Sequence, residues 1–522
     1  MKSKWPAKKE LLPMLVQYCK EITVEPIALL FFTGFSIYQS ATIPALYYKI
    51  CYNDYGMYDA SIDCASLKID HAHRHVEQEV QQKSALWSMY LMWAKMVPPS
   101  ISCLILSAWG DLAGRKVNIM LAATGAALAV FMFVIQVGII QSPLWILLPA
   151  FVVLGITGTI SLMINSLNQY IADITSRKEL LIVRMTFIGS CVQFSNILGT
   201  AISGVLIEHV GYAWTMVIAE IFLIVAVLYT LVKIRMVPPE ELAKAKLEQP
   251  SRANETRECR NAPNTLNIPV EPSNDNVGSA PEIELKGKPS PRKEKISALS
   301  YIWKLVRDIW IAYTKPREQN KRLHLWSMML ATIIFMMCDM GIMNVMILFI
   351  IRYPLQFSPI EIGYLNSVGA LLSIIFGMGV VSAMKALKFS DIAVILVSCC
   401  SNTLRLIILA FSDQRWIVWL SLVIGSISHL SLSGVQSFMA RLGKPEESGK
   451  FLAGLGVIGN IALLASSGIF NSVYNATPYF PGAVFLVAAG LQIIAGIIMA
   501  IIHVDMKRNA IVPAAASDSE IL

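Results

Sequence analysis

GDLAGRK, residues 110–116, places Asp111, Arg115 and Lys116 in a short gap between two long apolar stretches. So short a gap cannot hold a domain, so the chain must turn there and re-enter the same apolar surroundings. The rest of the sequence agrees. Its 522 residues are 55% hydrophobic and only 15% charged, with a mean hydropathy of +0.57, and a soluble domain needs more charge to cover its surface. The expectation is an integral membrane protein.

A helix crossing a hydrocarbon core about 30 Å thick needs about 20 apolar residues. Twelve segments qualify, near 24–47, 85–109, 117–140, 144–172, 180–207, 211–233, 323–351, 361–384, 391–412, 416–440, 451–473 and 481–503. The predicted fold is therefore all-α, with twelve transmembrane helices in two six-helix bundles. Residues 1–23 lack a small-residue cleavage site and the first apolar run is too long for a signal-peptide core, so the first helix is expected to stay. Lysine and arginine gather at the N-terminus, at Arg115–Lys116, Arg177–Lys178, through 233–322, at Lys385 and Lys388, at Arg441, Lys444 and Lys450, and at Lys507–Arg508. These are the even-numbered loops and both ends, which the positive-inside rule assigns to the cytoplasm. The net charge of +8 is thus topological, and no nucleic-acid partner follows from it.

This divides the chain into a cytoplasmic N-terminus (1–23), a first bundle (24–233), a cytoplasmic linker (234–322), a second bundle (323–503) and a cytoplasmic tail (504–522). Within the linker, 238–297 is rich in Pro, Asn, Glu and Lys and cannot bury enough apolar surface to fold alone. In LSYIWKLVRDIWIAY (299–313), apolar residues recur at helical spacing opposite Lys304, Arg307 and Asp308, predicting an amphipathic helix on the inner leaflet.

The opening motif, extended to W-G-D-L-A-G-R-K, resembles the G-x-x-x-D-x-x-G-R-[RK] signature that the major facilitator superfamily carries in its 2–3 loop, and loop position and helix count agree with it. The resemblance covers essentially the whole membrane portion and implies a transporter of alternating access. Gly114 permits a tight turn, and Asp111 is placed to meet the positive end of a neighbouring helix, which in the superfamily is the eleventh. Arg115 would complete a cytoplasmic latch with Asp111 and Asp173. The alternative is that Arg115 and Lys116 only obey the positive-inside rule, which leaves the two aspartates unexplained.

VEPIALL (24–30), QSATIPALYYKIC (39–51), YIADITSRKELLIVRM (170–185) and CDMGIMNVMIL (338–348) further resemble solute carrier family 46, which contains the proton-coupled folate transporter and its thymic and lysosomal relatives. In the folate-transporting member a carboxylate tied to proton coupling follows the Arg-Met pair of the fifth helix. Here Arg184–Met185 is followed by Thr186, Phe187, Ile188 and Gly189, so neither that mode of coupling nor folate specificity is implied.

Thr157, Ser161, Asn165 and Asn168 form one polar stripe on the fourth span. Thr186, Ser190, Gln193, Asn196, Thr200 and Ser203 form another on the fifth, and Ser426, His429, Ser433 and Gln436 a third on the tenth. Lipid penalises such stripes and a hydrated cavity accepts them, although the same residue types also join helices. Ionisable residues deep in a bilayer are candidates in their own right. Lys95 and Asp339 lead, on spans expected to flank the cavity. Arg184 would meet either an anionic solute or lipid headgroups. Asp339 and His429 are the candidates for a proton, with packing the other reading for His429. Glu220 and Arg405 fall on spans that the superfamily places outside the cavity, where structural pairing is expected.

Of nine cysteines only Cys51 and Cys64 fall in an exterior loop. The folate-transporting relative links its first exterior loop to that between spans seven and eight, but RYPLQFSPIE (352–361) has no cysteine, so Cys51–Cys64 is the expected bridge. His71, His73 and His75 in HAHRH would face one side of an extended strand and suit copper or zinc; a solvated segment is the alternative. GLGVIG (454–459) fits G-x-G-x-x-G but follows no strand, so helix packing explains it better than a dinucleotide. No cofactor is expected, and no H-E-x-x-H or nucleophile elbow points to an enzyme. The sequence thus predicts a carrier of a small anionic organic solute (folate-like, a cyclic dinucleotide or a similar conjugate) with a proton as candidate co-substrate, in the plasma or lysosomal membrane. The rivals are a transition-metal-linked exporter and a non-transporting receptor or scaffold.

Overall fold

The computed structural model describes residues 23–57, 64, 74–100, 102, 105–106, 114–174, 178–235, 303, 307, 310–311, 313–315, 321–387, 391–442 and 445–518. Among them there is no strand. The helices are α1 Glu25–Cys51, α2 Arg74–Met96, α3 Arg115–Gly138, α4 Leu147–Ile156, α5 Thr159–Ile174, α6 Lys178–Lys233, α7 Lys321–Met336, α8 Met343–Ile351, α9 Pro359–Ala386, α10 Asp391–Ala410, α11 Arg415–Ile424, α12 Leu430–Leu442, α13 Pro445–Ala476 and α14 Ala483–Asp518. Nine helical runs of the described residues are long and apolar enough to cross a membrane. Their outer faces suit lipid: Ile493, Ile497 and Ile501 of α14, one turn apart, are each about half exposed.

Local chemistry explains where helices start, break and bend. Glu25 opens α1 ahead of Pro26, and its Oε2 accepts the Thr23 and Val24 amides at 2.9 and 3.0 Å, capping donors that a helix start leaves unpaired. The second span was expected from residue 85, yet α2 begins at Arg74, because HVEQEVQQK is polar but helix-forming and prolongs the helix past the apolar segment. It ends before Pro98–Pro99, which cannot supply helical amides. Gly211, at φ +80°, bends α6 between the fifth and sixth expected spans. Two spans are broken at mid-length: a π-helical turn, Met337–Gly341, separates α7 from α8, and a 3-10 turn, Gly425–Ile427, separates α11 from α12.

α1 forms the core of the first half, packed on α6 and α3 through a ladder of rings: Phe31 stacks on Phe35, Phe35 meets Tyr38, and Tyr38 meets Phe133 edge-on. At the end of α1, Lys49 is 2% exposed and donates to the Gln136 carbonyl and Ser142 hydroxyl, both at 2.6 Å, so its cation caps the negative end of α3. Beyond it Cys51 is bonded to Cys64, closing the expected loop. Reducing this bridge is expected to cost about 3 kcal/mol, the chain-entropy value for so short a loop; a lower melting temperature in reductant, absent from a Cys51→Ser/Cys64→Ser protein, checks it.

The two halves meet near the face that carries this disulfide. Tyr474 of α13 donates to Gln81 of α2 (2.8 Å), and from α2 Ser88 donates to Asn471 (3.1 Å) and Trp93 to the Leu464 carbonyl (3.1 Å). Glu77 accepts the Tyr353 amide at 2.7 Å. On the other side α6 crosses α9, where Thr200 and Ser367 share a hydrogen bond of 2.7 Å. A Cβ on Gly204 would lie 2.4 Å from the Pro359 carbonyl, and one on Gly363 2.7 Å from that of Thr200, so the backbones touch. In the predicted interfacial segment the described residues 303, 307, 310–311 and 313–314 are helical; Trp303 and Trp310 are exposed, and Tyr313 packs on Trp326 of α7.

Candidate functional site

Lys95 lies on the last turn of α2, half-buried, its ammonium 5.6 Å from the centroid of the Phe35 ring. That cation–π contact is its one side-chain interaction among the described residues, none of which brings a carboxylate to balance it. The neighbouring residue of α1, Ser36, turns to α6 and donates to Asn196 at 2.6 Å, while the Asn196 amide donates to Gln193 at 3.3 Å. α1 therefore joins two candidate surfaces, a cation on one side and a hydroxyl–amide chain on the other. Thr186, Ser190 and Gln193 are exposed along α6, as are Ser161 and Asn165 along α5. Asn168 is half-buried and its Oδ1 has no hydrogen-bond partner. These residues are of types that could bond polar solute groups.

Arg184 is 1% exposed and pairs with Glu25 Oε1 at 3.5 Å. Neither a headgroup nor a solute is needed to account for it, since Glu25 supplies a buried counter-charge. Asp339, 6% exposed, sits in the π-helical turn and faces α10. Its Oδ1 accepts from Asn402 Nδ2 at 2.8 Å, and Asn402 Oδ1 accepts from Arg405 Nε at 2.9 Å. Asp339 Oδ2 has no hydrogen-bond partner among the described residues. His429 lies exposed between the 3-10 turn and α12, within electrostatic reach of Asp339. Arg405 is thus paired, as expected, and forms one end of a chain that starts at Asp339. Its spacing from Asn402, three residues and hence one helix face, was the available signal; the rotation bringing that face to Asp339 was not in the sequence. Glu220 is buried, and its Oε2 has no hydrogen-bond partner among the described residues either.

Of the expected latch, Gly114 turns at φ +97° immediately before α3, a conformation that glycine adopts without strain, and Arg115 is half-buried. Asp111 lies outside the described residues, as do the side chains of Asp173 and Gln436. His71 and His73 also lie outside them. His75 belongs to α2, which already starts at Arg74, so it is helical and not part of an extended strand. GLGVIG lies inside α13, where Gly459 packs on Met336.

The profile of the Major Facilitator Superfamily matches residues 28–467. A chicken (Gallus gallus) lysosomal proton-coupled steroid conjugate and bile acid symporter is 22% identical over 483 residues, covering 91% of this chain and 92% of that protein. The proton-coupled folate transporter of Bos taurus is 22% identical over 444 residues, covering 84% and 83%. Among solved structures, the human organic anion transporter MFSD10 superimposes with a TM-score of 0.56 at 15% identity, covering 91% of this chain and 97% of that one, a likeness of fold. With its helices, its disulfide-face contacts and this match over most of its length, the chain belongs to the major facilitator superfamily, a family of membrane transporters and not of enzymes, and resembles solute carrier family 46.

Proposed function

We propose that this protein carries a small organic anion across a membrane by alternating access, in symport with a proton. The carrying observation is Lys95: a half-buried cation with an aromatic ring beneath it and no counter-charge among the described residues, a costly arrangement unless an anion completes it. The open amides and hydroxyls of α5 and α6 would orient the rest of the solute, and Asp339 is the candidate proton site. Twelve spans follow when the bend at Gly211 divides α6 into two and when α2 and α13 each cross once. The two bundles are then residues 24–233 and 323–503, joined by the cytoplasmic linker 234–322, with both termini cytoplasmic, in the plasma or lysosomal membrane. The contacts near the disulfide face are the seal of one state, and rocking of one bundle on the other would exchange it for the Asp111–Arg115–Asp173 latch.

Purified protein in liposomes with an imposed pH gradient tests this. The solutes are reduced folates, steroid sulfates, cyclic dinucleotides and small peptide conjugates. At least one is expected to enter saturably and faster with acid on the side of entry, and Asp339→Asn should remove the acceleration. Uptake of none by folded protein would refute the carrier reading.

A further inference from the structure

We propose that Arg405 is an anion anchor of the second half, and that the Asn402 amide links it to the proton on Asp339 so that anion and proton bind together. This rests on the reading of Asp339 as the proton site. Three observations carry it. Among the described residues Arg405 uses only Nε: its other two guanidinium nitrogens have no hydrogen bond or ion pair there, and the residue is half-buried rather than sealed. Next, Arg405 reaches the neighbouring span through a gap that a glycine leaves. A Cβ at Gly425 would fall 1.9 Å from Arg405 Cδ and 2.8 Å from its Cγ and Nε, so the side chain crosses where any other residue would stand. Finally, both flanking spans lose regular helix at this level, in the π-helical turn that holds Asp339 and the 3-10 turn that begins at Gly425. Such irregular turns recur at functional sites.

The relay has only one polarity. Arg405 Nε can only donate, so Asn402 must present its oxygen there and its NH2 to Asp339, which therefore accepts. In the empty state the aspartate charge and the guanidinium charge balance through the amide. An anion on the two unused nitrogens supplies the guanidinium with a second counter-charge, which favours a proton on Asp339; by reciprocity, a proton on Asp339 leaves the guanidinium uncompensated and favours the anion. Empty and doubly loaded clusters are both neutral with a monoanion, whereas each half-loaded cluster carries a net charge in a poorly solvated place. Only the neutral forms then change conformation readily, which sets one proton per anionic charge. The other groups facing Asp339 are His429, from the break before α12, and Cys338 and Cys399. α13 and α14 contribute uncharged groups: Ser466, packed against Gly341, and the Ala488 carbonyl, which accepts from Cys338.

The test uses the full chain in liposomes, with a tritiated steroid sulfate and tritiated folic acid as probes, at acidic and at neutral pH. Wild-type protein is expected to show a lower half-saturation concentration in acid. Arg405→Gln should raise that concentration roughly tenfold, within the usual range of coupling between sites, and flatten its pH dependence. Asp339→Asn, a standing imitation of the protonated acid, should give the low value at both pH values. Gly425→Ala alters no charge but obstructs the Arg405 side chain, so it should act like Arg405→Gln; it keeps the test decisive if Arg405→Gln does not fold. Uptake that depends on Lys95 and on pH yet is unchanged in both Arg405→Gln and Gly425→Ala overturns this inference alone. A pH dependence that survives Asp339→Asn and disappears in His429→Gln overturns it too. If wild-type protein moves neither probe, the inference falls together with these two solute classes.

Discussion

Lys95→Met protein should melt at a higher temperature than wild type and take up at least roughly tenfold less solute. The two signs come from one cause. Removing an ammonium from water costs several kcal/mol even after relaxation, and the Phe35 face returns about 0.5–2 kcal/mol of this, with no carboxylate among the described residues to supply the rest. Methionine keeps the length of the stem and removes the uncompensated charge, so the empty protein gains. The solute loses a charged hydrogen bond of about 1.5–3 kcal/mol, roughly a 10- to 150-fold loss of affinity. Thermal denaturation and half-saturation of uptake, measured on the same preparation, check both halves. A less stable protein with normal uptake would mean that Lys95 holds the fold and not the solute.

The second large effect is expected at the crossing of α6 and α9. The atoms that a side chain at Gly363 would meet belong to the backbone, the Thr200 carbonyl and Gly204, and cannot swing away. Gly363→Leu should therefore drive these helices apart and disfavour the state in which the disulfide face is sealed. Overpacking of this kind costs about 1–3 kcal/mol, enough to invert a balanced two-state equilibrium. In a background retaining only the Cys51–Cys64 pair, a cysteine placed at Asn471 is expected to react with an impermeant thiol reagent several times faster once Gly363 is leucine. Uptake should fall with it. Unchanged labelling together with unchanged uptake would show that the crossing does not separate during transport.

Much of this was legible in the sequence because it depends on composition along one helix at a time. The long apolar runs, the turn at Gly114, the Cys51–Cys64 bridge and the polar stripes of α5 and α6 are all properties of neighbouring residues. What stayed hidden depends on how one helix is rotated against another. Glu25 and Arg184 are 159 residues apart, and each alone reads as a motif residue and a boundary cation. Asp339 meets Asn402 of α10 from within a π-helical turn, and no hydropathy window reports a π turn. The partners of Arg405 were not legible because they depend on the space left at Gly425, through which its side chain passes.

Lys49 carries a mechanical consequence. An ammonium wedged against the terminal carbonyls of α3 while its own backbone belongs to α1 pins those two rods at their tips, where thermal fraying would otherwise be greatest. A rod assembly clamped at its ends tilts instead of flexing, so a nudge at one rim returns as an opposite swing at the far rim. Loosening that clamp would leave each rod in place and cost the first half its leverage.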